Sequence, residues 1–335
     1  MASDRLLLKI ALTATAMLLV AAAVLYPVVT DERGTQITQY RNAFLAERAT
    51  SDEWQWRGDQ PPPSFNRLRE PVPDALMRWL DRNALPAGFS DWQQARHIGS
   101  RLHDYARKGG PIASDVVETL RLMERLKTGY CADYVRVFEA LAHAAGISTR
   151  QWAFSFDGFG GWGHTVNEVW DRETQRWYMI DVFGGFVPLD QAQRPLSALE
   201  FRQLLRTAPE QLVFSRLHPD NFGFKDDAGA LGYYLRGKDE WYLWNGNHSL
   251  HYDADPWVQS ARRFGRAAEQ VTAMLRGTIA PLKIVTDPTN EQAFEALIRL
   301  RWGLIAAFVA QSALGSVLLY YVVVAVRRWL ANRGA

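Results

Sequence analysis

The sequence predicts an α+β domain held between two membrane-spanning helices. Helical periodicity at residues 73–82, 91–106 and 114–127 gives way to strand-like alternation after residue 147. Helices and strands that occur in separate runs along the chain are typical of α+β domains. Two apolar segments, at residues 6–29 and 303–326, lie outside this region, and each is long enough to cross a bilayer.

The charges around the apolar segments predict their orientation. Segment 6–29 contains one charge, Lys9, and segment 303–326 contains none. Arg5 precedes the first segment, and Arg327 and Arg328 follow the second. Because basic residues favour the cytoplasmic side, both termini are expected in the cytoplasm. We therefore expect an inner-membrane protein with two spans, whose residues 30–300 face the periplasm or the cell exterior.

A cleaved signal peptide is the alternative for the first segment. Ala21-Ala22-Ala23 provides the small residues that a cleavage site needs. The apolar run is long for a signal peptide, however, so an uncleaved anchor is favoured.

The composition between the spans divides the chain further. Residues 30–90 are expected to form a stalk with a helical lead-in, and residues 91–190 the core. Residues 191–300 form an aromatic-rich extension that ends in an amphipathic helix, predicted at 256–277. The chain of 335 residues has a formal net charge of +2. This balance gives no indication of nucleic-acid binding.

Cys131 is the only cysteine, so an intramolecular disulfide is excluded and the thiol is either reactive or buried. It stands at the start of a predicted helix. Apolar residues continue from Tyr134 to Ala145 at spacings of three and four, and Gly146 is suited to the C-terminal cap. The N-terminus of a helix, with its positive dipole end, would stabilise a thiolate.

Three strands are predicted after this helix, at 147–156, 164–170 and 177–182, with a glycine-rich loop at 157–163 that could close over a cleft. Pairing Asp171 with Thr174 would put His164 directly opposite Asp181. A shift of two residues would keep both side chains on one face, and a shift of one would separate them. His164 and Asp181 are therefore candidate neighbours.

A thiol, an imidazole and a carboxylate in this order can form a nucleophilic triad. Cys131 would attack, His164 would exchange protons, and Asp181 would orient the imidazole. The backbone N–H of Cys131 is a candidate oxyanion donor, and Gln93 or Gln94 is a candidate for the second donor.

No cofactor and no metal are expected. His248 and His251 with Asp253 and Asp255 could suggest a metal site, but the pattern lacks a second cysteine and a helical histidine pair. A polar loop is favoured for these residues.

These residues resemble the transglutaminase-like, papain-related cysteine enzymes, in a membrane-anchored bacterial form. The family pattern is a Gly-x-Cys at a helix start, a Gly-Ile-x-x-Arg after that helix, a His strand with a downstream Glu, and an Asp preceded by an aromatic residue. The corresponding residues are Gly129-Tyr130-Cys131, Phe138-Glu139-Ala140-Leu141, Gly146-Ile147-Ser148-Thr149-Arg150, His164 with Glu168 and Trp170, and Trp177-Tyr178-Met179-Ile180-Asp181. The family commonly has Ala-Trp after the histidine, where this chain has Thr165-Val166. After the aspartate, Val182-Phe183-Gly184-Gly185 replaces the usual Pro or Ala and Thr.

The resemblance implies a fold and a reaction. The fold would be a transglutaminase-like core in which the Cys helix packs on an antiparallel sheet that carries His and Asp. Cys131, His164 and Asp181 would be the catalytic residues of an acyl transfer through a thioester, as in peptidases, amidases and transglutaminases. The membrane anchors suggest a peptide or an envelope polymer as substrate, with possible membrane-protein partners. The alternative is a catalytically inactive scaffold, or a carbohydrate-binding component of an envelope assembly system that uses the aromatic residues.

Overall fold

The computed structural model describes residues 2–31, 35–49, 51–65, 67, 70–84, 87–105, 110–112, 114–247 and 249–333. The helices are α1 (Ala2–Thr30), α2 (Gln36–Leu45), α3 (Asp74–Arg82), α4 (Asp91–His103), α5 (Val116–Leu126), α6 (Cys131–Ala144), α7 (Ala198–Thr207), α8 (Asp227–Arg236), α9 (Ser249–Ala254), α10 (Pro256–Arg262), α11 (Arg266–Arg276) and α12 (Glu291–Arg333). The strands are β1 (Ala46–Arg48), β2 (Thr149–Ser155), β3 (Gly163–Asp171), β4 (Arg176–Ile180), β5 (Phe186–Leu189), β6 (Val213–Arg216), β7 (Trp241–Trp244) and β8 (Leu282–Ile284).

One six-stranded sheet organises the domain, in the order β1-β8-β7-β2-β3-β4. Its pairs are antiparallel except for β1 with β8. Strands β5 and β6 form a separate antiparallel pair. The α+β prediction, with the Cys helix packed on a mostly antiparallel sheet, is confirmed.

Two layers of helices bury the two faces of the sheet. Helices α3 to α6 cover Val169, Tyr178 and Ile180 of one face. The other face presents Trp152, Phe154 and Val166, which pack against residues of α7 and α8. Since side chains alternate along a strand, successive residues of β3 point into the hydrophobic cores on opposite faces of the sheet.

The segment predicted as a stalk is partly built into the domain. Helix α2 buries Ala43, and β1 adds a parallel strand to the sheet edge beside β8. Trp54 is buried against Trp152 of the central sheet, with ring centroids 6.1 Å apart. The polar composition of this segment conceals the few apolar residues that anchor it, which is why periodicity does not show its packing.

The predicted amphipathic helix at 256–277 is divided in two. Helix α10 ends at Arg262, and α11 begins at Arg266. Gly265 between them has φ of +101°. This positive φ lies outside the helical region and favours glycine. The break lets α11 turn its buried residue Ala273 toward the core beside α2.

Helices α1 and α12 run antiparallel and contact each other. The Lys9 ammonium lies 5.6 Å from the centroid of the Tyr321 ring, so the two chain ends share one end of the helix pair. Segments Arg5–Thr30 and Glu291–Ala331 are long and apolar enough to cross a membrane. The first turns of α12 instead bury Phe294 and Leu297 in the domain core, so this helix joins the domain to the apolar segment without a linker.

Candidate active site

Cys131 is the first residue of α6, and its side chain is partly exposed. The chain reaches it through Gly129, whose φ is +146° and where an added Cβ would lie 2.9 Å from the Tyr134 ring. The carboxylate of Asp133 accepts hydrogen bonds from the backbone N–H groups of Tyr130, at 2.9 Å, and Ile112, at 3.1 Å. The start of the helix is therefore fixed from both sides of the cysteine.

The far end of α6 is closed by a Schellman motif. The N–H of Ile147 donates to Ala142 O, and the N–H of Gly146 donates to His143 O, both at 2.9 Å. Gly146 has φ of +74°, as the predicted cap requires. Helix α6 is thus a defined unit from Cys131 to Ala144.

Contact between α6 and β3 brings the cysteine and histidine elements together. The side-chain nitrogen Nδ2 of Asn167 lies 3.5 Å from Val135 O. Asn167 follows His164 by three positions and Val135 follows Cys131 by four, so the contact lies within a few residues of both candidate residues.

The register of β3 and β4 differs by two residues from direct opposition of His164 and Asp181. Asn167 pairs with Ile180, and Asp171 pairs with Arg176. Asp181 follows the end of β4 and forms a bridge with Phe186. A two-residue shift keeps side chains on the same face, and His164 Nε2 lies 2.8 Å from Asp181 Oδ2.

The carboxylate of Asp181 accepts three hydrogen bonds. Oδ2 is bound by His164 and by the hydroxyl of Tyr234, and Oδ1 accepts from the backbone N–H of Gly184 at 2.8 Å. Its residue exposure is 0 %. A buried carboxylate that is fully engaged by donors remains ionised and holds a fixed orientation.

The electrostatics of this cluster favour the charged imidazole. Burial opposes the charge of His164, but the negative charges of Asp181 and of the Cys131 thiolate outweigh it and raise the pKa of His164 well above its ordinary value. Burial also opposes the charge of Asp181. The charge and hydrogen bond of His164, with those of Tyr234 and Gly184, nevertheless lower the pKa of Asp181. The site therefore favours an imidazolium bound to an ionised Asp181.

Tyr234 is a site residue that sequence reasoning did not find. It is fully buried in α8, more than fifty residues after Asp181. Burial and the charge of Asp181 raise the pKa of Tyr234 well above its ordinary value, so its hydroxyl keeps the proton that it donates. The neighbouring Tyr233 packs edge-on against the His164 ring, with centroids 5.6 Å apart. In the sequence, both residues stand among many other aromatics with nothing to distinguish them.

The unusual residues after Asp181 form a tight turn. An added Cβ at Gly184 would collide with the Asp181 carboxylate, and one at Gly185, whose φ is +76°, would collide with the His103 ring. His103 is buried at the end of α4 and lies 2.9 Å from Val182 O through its Nδ1. Close packing around the carboxylate explains why glycines occupy both positions.

Arg150 and Glu168, both parts of the family-like pattern, form a buried ion pair on the same sheet face as His164. They are cross-strand partners, with Arg150 Nε 2.5 Å from Glu168 Oε2. The indole N–H of Trp152 also donates to Glu168, at 2.5 Å. This pair links β2 to β3 four residues along the strand from His164.

The structure corrects the expectation about Gln93 and Gln94. Gln93 caps the start of α4, where its Oε1 accepts from the N–H of Ser90 at 3.0 Å, and Gln94 donates to Phe89 O at 2.9 Å. The end of α4 that meets the Asp181 turn lies about ten residues further on, or roughly 15 Å at 1.5 Å per residue. The amide nitrogen of Gln94 is used in its bond to Phe89, and both glutamines lie at the end of α4 away from the Asp181 turn, which argues against either as the second oxyanion donor.

The described residues contain no group of three or more His, Cys, Asp or Glu side chains arranged to hold a metal. His248, one of the residues considered for such a site, lies outside the described part of the chain. His251 binds the carboxylate of Glu70 at 2.5 Å.

Residues 91–182 match the family model of the transglutaminase-like superfamily. The chain thus contains a transglutaminase-like domain that begins at α4 and ends just after Asp181. Neither a curated protein nor a solved structure shows a significant match to the chain.

Proposed function

We propose that this protein is a membrane-anchored cysteine enzyme that acts on amide bonds by acyl transfer through a thioester. The observation that supports it is the buried array in which Asp181 binds both His164 and Tyr234, while the charge of the only cysteine acts on His164. The transglutaminase-like domain covers Cys131, His164 and Asp181. The catalytic roles are part of the proposal.

Each residue has a chemical task in this reaction. Asp181 occupies His164 Nε2, which leaves Nδ1 to exchange protons with the thiol. The Cys131 thiolate attacks the amide carbon, and the backbone N–H of Cys131 stabilises the oxyanion. The C–N bond then breaks as His164 gives its proton to the departing amine. Water or a second amine attacks the thioester, His164 takes its proton, and the thiol is released.

The proposed location is the inner membrane, with residues 30–300 in the periplasm and both termini in the cytoplasm. Two antiparallel helices that are long and apolar enough to cross a bilayer support this location, as do the basic residues at their shared end. The substrate would be a peptide or an envelope polymer, and hydrolysis and transamidation share the steps up to the thioester.

Thiol labelling tests the proposal. Iodoacetamide should alkylate Cys131 of the native protein near neutral pH, because the His164 imidazolium stabilises the thiolate. Mass spectrometry should show that His164→Ala slows this labelling at least about tenfold. Slow labelling of the native protein, with fast labelling only after unfolding, would indicate an inert buried thiol.

A functional assay separates an enzyme from an inactive scaffold. Cys131→Ser should abolish the phenotype that the gene supports, while the membrane level and melting temperature of the protein stay near wild type. Full complementation by Cys131→Ser would instead establish the scaffold role.

A further inference from the structure

A cavity of about 200 Å³ opens beside the proposed nucleophile. Tyr130 and Ala132, the residues on either side of Cys131, line it. Trp244 and Tyr252 contribute aromatic walls. None of the proposed catalytic steps uses this space, so its chemistry requires a separate explanation.

Two guanidinium groups line the cavity without an acidic partner. Within the described residues, neither Arg41 nor Arg266 forms an ion pair. The positive charge of Arg266 acts unfavourably on Arg41, so the two groups lie within electrostatic range of each other. Burial is the main cause that lowers the pKa of Arg41 to about 10, which leaves the group charged at neutral pH.

The carboxylates in the same lining are engaged elsewhere. Asp133 accepts from backbone N–H groups at the start of α6. Glu269 binds Arg262 at 2.9 Å. A third arginine of the lining, Arg136, is paired with Asp253 at 2.7 Å. Among the described residues, therefore, neither Arg41 nor Arg266 is paired with a carboxylate.

Neutral partners hold Arg41 in place. Its Nε and Nη2 donate to Asn42 Oδ1, at 3.1 and 2.8 Å, and its Nη1 donates to Gln270 Oε1 at 2.9 Å. The guanidinium carbon also lies 5.0 Å from the Trp244 ring centroid. Of the five N–H groups of a guanidinium, these bonds use three, which leaves two for a ligand.

Arg266 occupies a position that is unfavourable for its charge. It is the first residue of α11, at the positive end of the helix dipole. It is exposed, and no hydrogen bond of its side chain occurs among the described residues. An anion in the cavity would relieve both this interaction and the repulsion from Arg41.

The cavity is electrostatically linked to the nucleophile. Burial raises the pKa of Tyr242 to about 12, while the charge of Arg41 opposes this rise and that of the Cys131 thiolate adds to it. Asn42, which fixes Arg41, also donates to Phe159 O at 2.9 Å in the glycine-rich loop before His164. Asn42 therefore joins Arg41 to the loop before His164, and Tyr242 lies within electrostatic range of both Arg41 and Cys131.

We propose that this cavity binds a carboxylate carried by the acyl substrate and so selects acidic substrates for Cys131. The two remaining N–H groups of Arg41 match the two oxygens of a carboxylate, and Arg266 supplies the second charge. An acidic amino-acid side chain and a sugar acid both carry this group. The inference rests on the proposed function, since it assigns the cavity to the substrate of that reaction.

The test compares two maleimides that react with the same thiol. N-ethylmaleimide is neutral, and 3-maleimidopropionate carries a carboxylate, so the ratio of their rates isolates the effect of charge from the reactivity of Cys131. We expect Arg266→Gln to lower the ratio of the charged to the neutral reagent by about fivefold. An unchanged ratio in a folded Arg266→Gln variant would overturn the proposal.

Two further variants sharpen the comparison. Arg263→Gln removes an exposed arginine three residues away that does not line this cavity, and it should leave the ratio within about twofold of wild type. Arg41→Gln should lower the ratio at least as far as Arg266→Gln. Because it also loses the bonds to Asn42 and Gln270, its melting temperature must be measured alongside.

Competition identifies the anion. At equal ionic strength, glutarate or glucuronate should slow 3-maleimidopropionate in wild type more than in Arg266→Gln, and the stronger competitor shows whether a peptide-like or a sugar acid is preferred. If inorganic phosphate protects Cys131 as well as the two carboxylates do, the cavity does not select a carboxylate and the proposal is overturned. Failure of the proposed function gives a different result: N-ethylmaleimide would then react at the same rate in wild type and His164→Ala.

Discussion

At the scale of single residues, the site depends on how one carboxylate is held. Asp181 accepts from a side-chain nitrogen, a hydroxyl and a backbone N–H. These donors leave the carboxylate little freedom to rotate, and the imidazole plane is fixed with it. The tyrosine is the one of these donors that can be removed with little other change.

Tyr234→Phe should slow the alkylation of Cys131 about tenfold while the fold remains intact. The substitution removes one charge-assisted hydrogen bond to Asp181 but keeps the buried ring. Single-turnover alkylation of Cys131, measured across pH, would show the change. Tyr233→Phe is the matched control, since that ring contacts His164 and no hydrogen bond of its hydroxyl to Asp181 is present. Equal effects of the two variants would contradict an orienting role for Tyr234.

Asp181→Asn should change stability in a pH-dependent way. The raised pKa of His164 stabilises the fold fully below its unfolded value of about 6.5, and this contribution is lost as pH rises through the folded value. The lowered pKa of Asp181 contributes above about pH 4 and is lost on further acidification. The melting temperature of wild type should exceed that of the variant most near pH 5, and the difference should shrink as the pH rises above about 6.5. A constant difference from pH 5 to 9 would show that the pair does not carry opposite charges.

At the scale of elements, replacing two glycines by alanine should have opposite effects on stability. Gly146 ends α6 with φ of +74°, whereas Gly232 lies on the exposed side of α8, and an added Cβ at either position would meet no atom within 4 Å. Gly146→Ala should therefore destabilise the fold by about 1 kcal/mol through strain alone. Gly232→Ala should stabilise it by up to about 1 kcal/mol through helix propensity. Equilibrium denaturation of both variants measures these changes in the free energy of unfolding. A Gly146→Ala variant as stable as wild type would contradict the positive φ of the cap.

Much of the fold at this scale can be predicted from the sequence. The helix that begins at Cys131 and the strands around His164 are evident because periodicity and glycine caps are local signals. The turn at Gly184, the Tyr234 hydroxyl and the position of Arg41 are not evident. They depend on residues brought together from distant parts of the chain, and no local pattern encodes such contacts.

The register of β3 and β4 shows the same limit. Alternation allows His164 and Asp181 to share a face, as they do in the structure, but does not require it, because a shift of one residue would separate them. It does not specify which residues are directly opposed, because a shift of two preserves the pattern. The turn between Asp171 and Arg176 decides the register, through bonds such as that from the N–H of Thr174 to Asp171 at 3.2 Å.

At the scale of the whole molecule, α1 and α12 form an antiparallel pair with both chain ends on one side. Alkaline phosphatase fused after Asn290, before the second apolar segment, should be active because it would lie in the periplasm. The same reporter fused at the end of the chain should be inactive, and a fluorescent protein fused there should fluoresce. Phosphatase activity at the chain end would contradict the proposed topology.

The bonds between the two apolar helices and α2 limit where the site can reach. The Tyr40 hydroxyl donates to Val24 O at 2.9 Å, and Arg301 Nε donates to Ala43 O at 2.5 Å, so both apolar helices are fastened to α2. A flexible linker of thirty residues would let the site sweep roughly 30 Å. The bonds of α2 to both apolar helices restrict such movement. With α1 and α12 in the bilayer, Cys131 would be held at a nearly fixed distance from the membrane surface. It would then reach only substrates that lie at that distance.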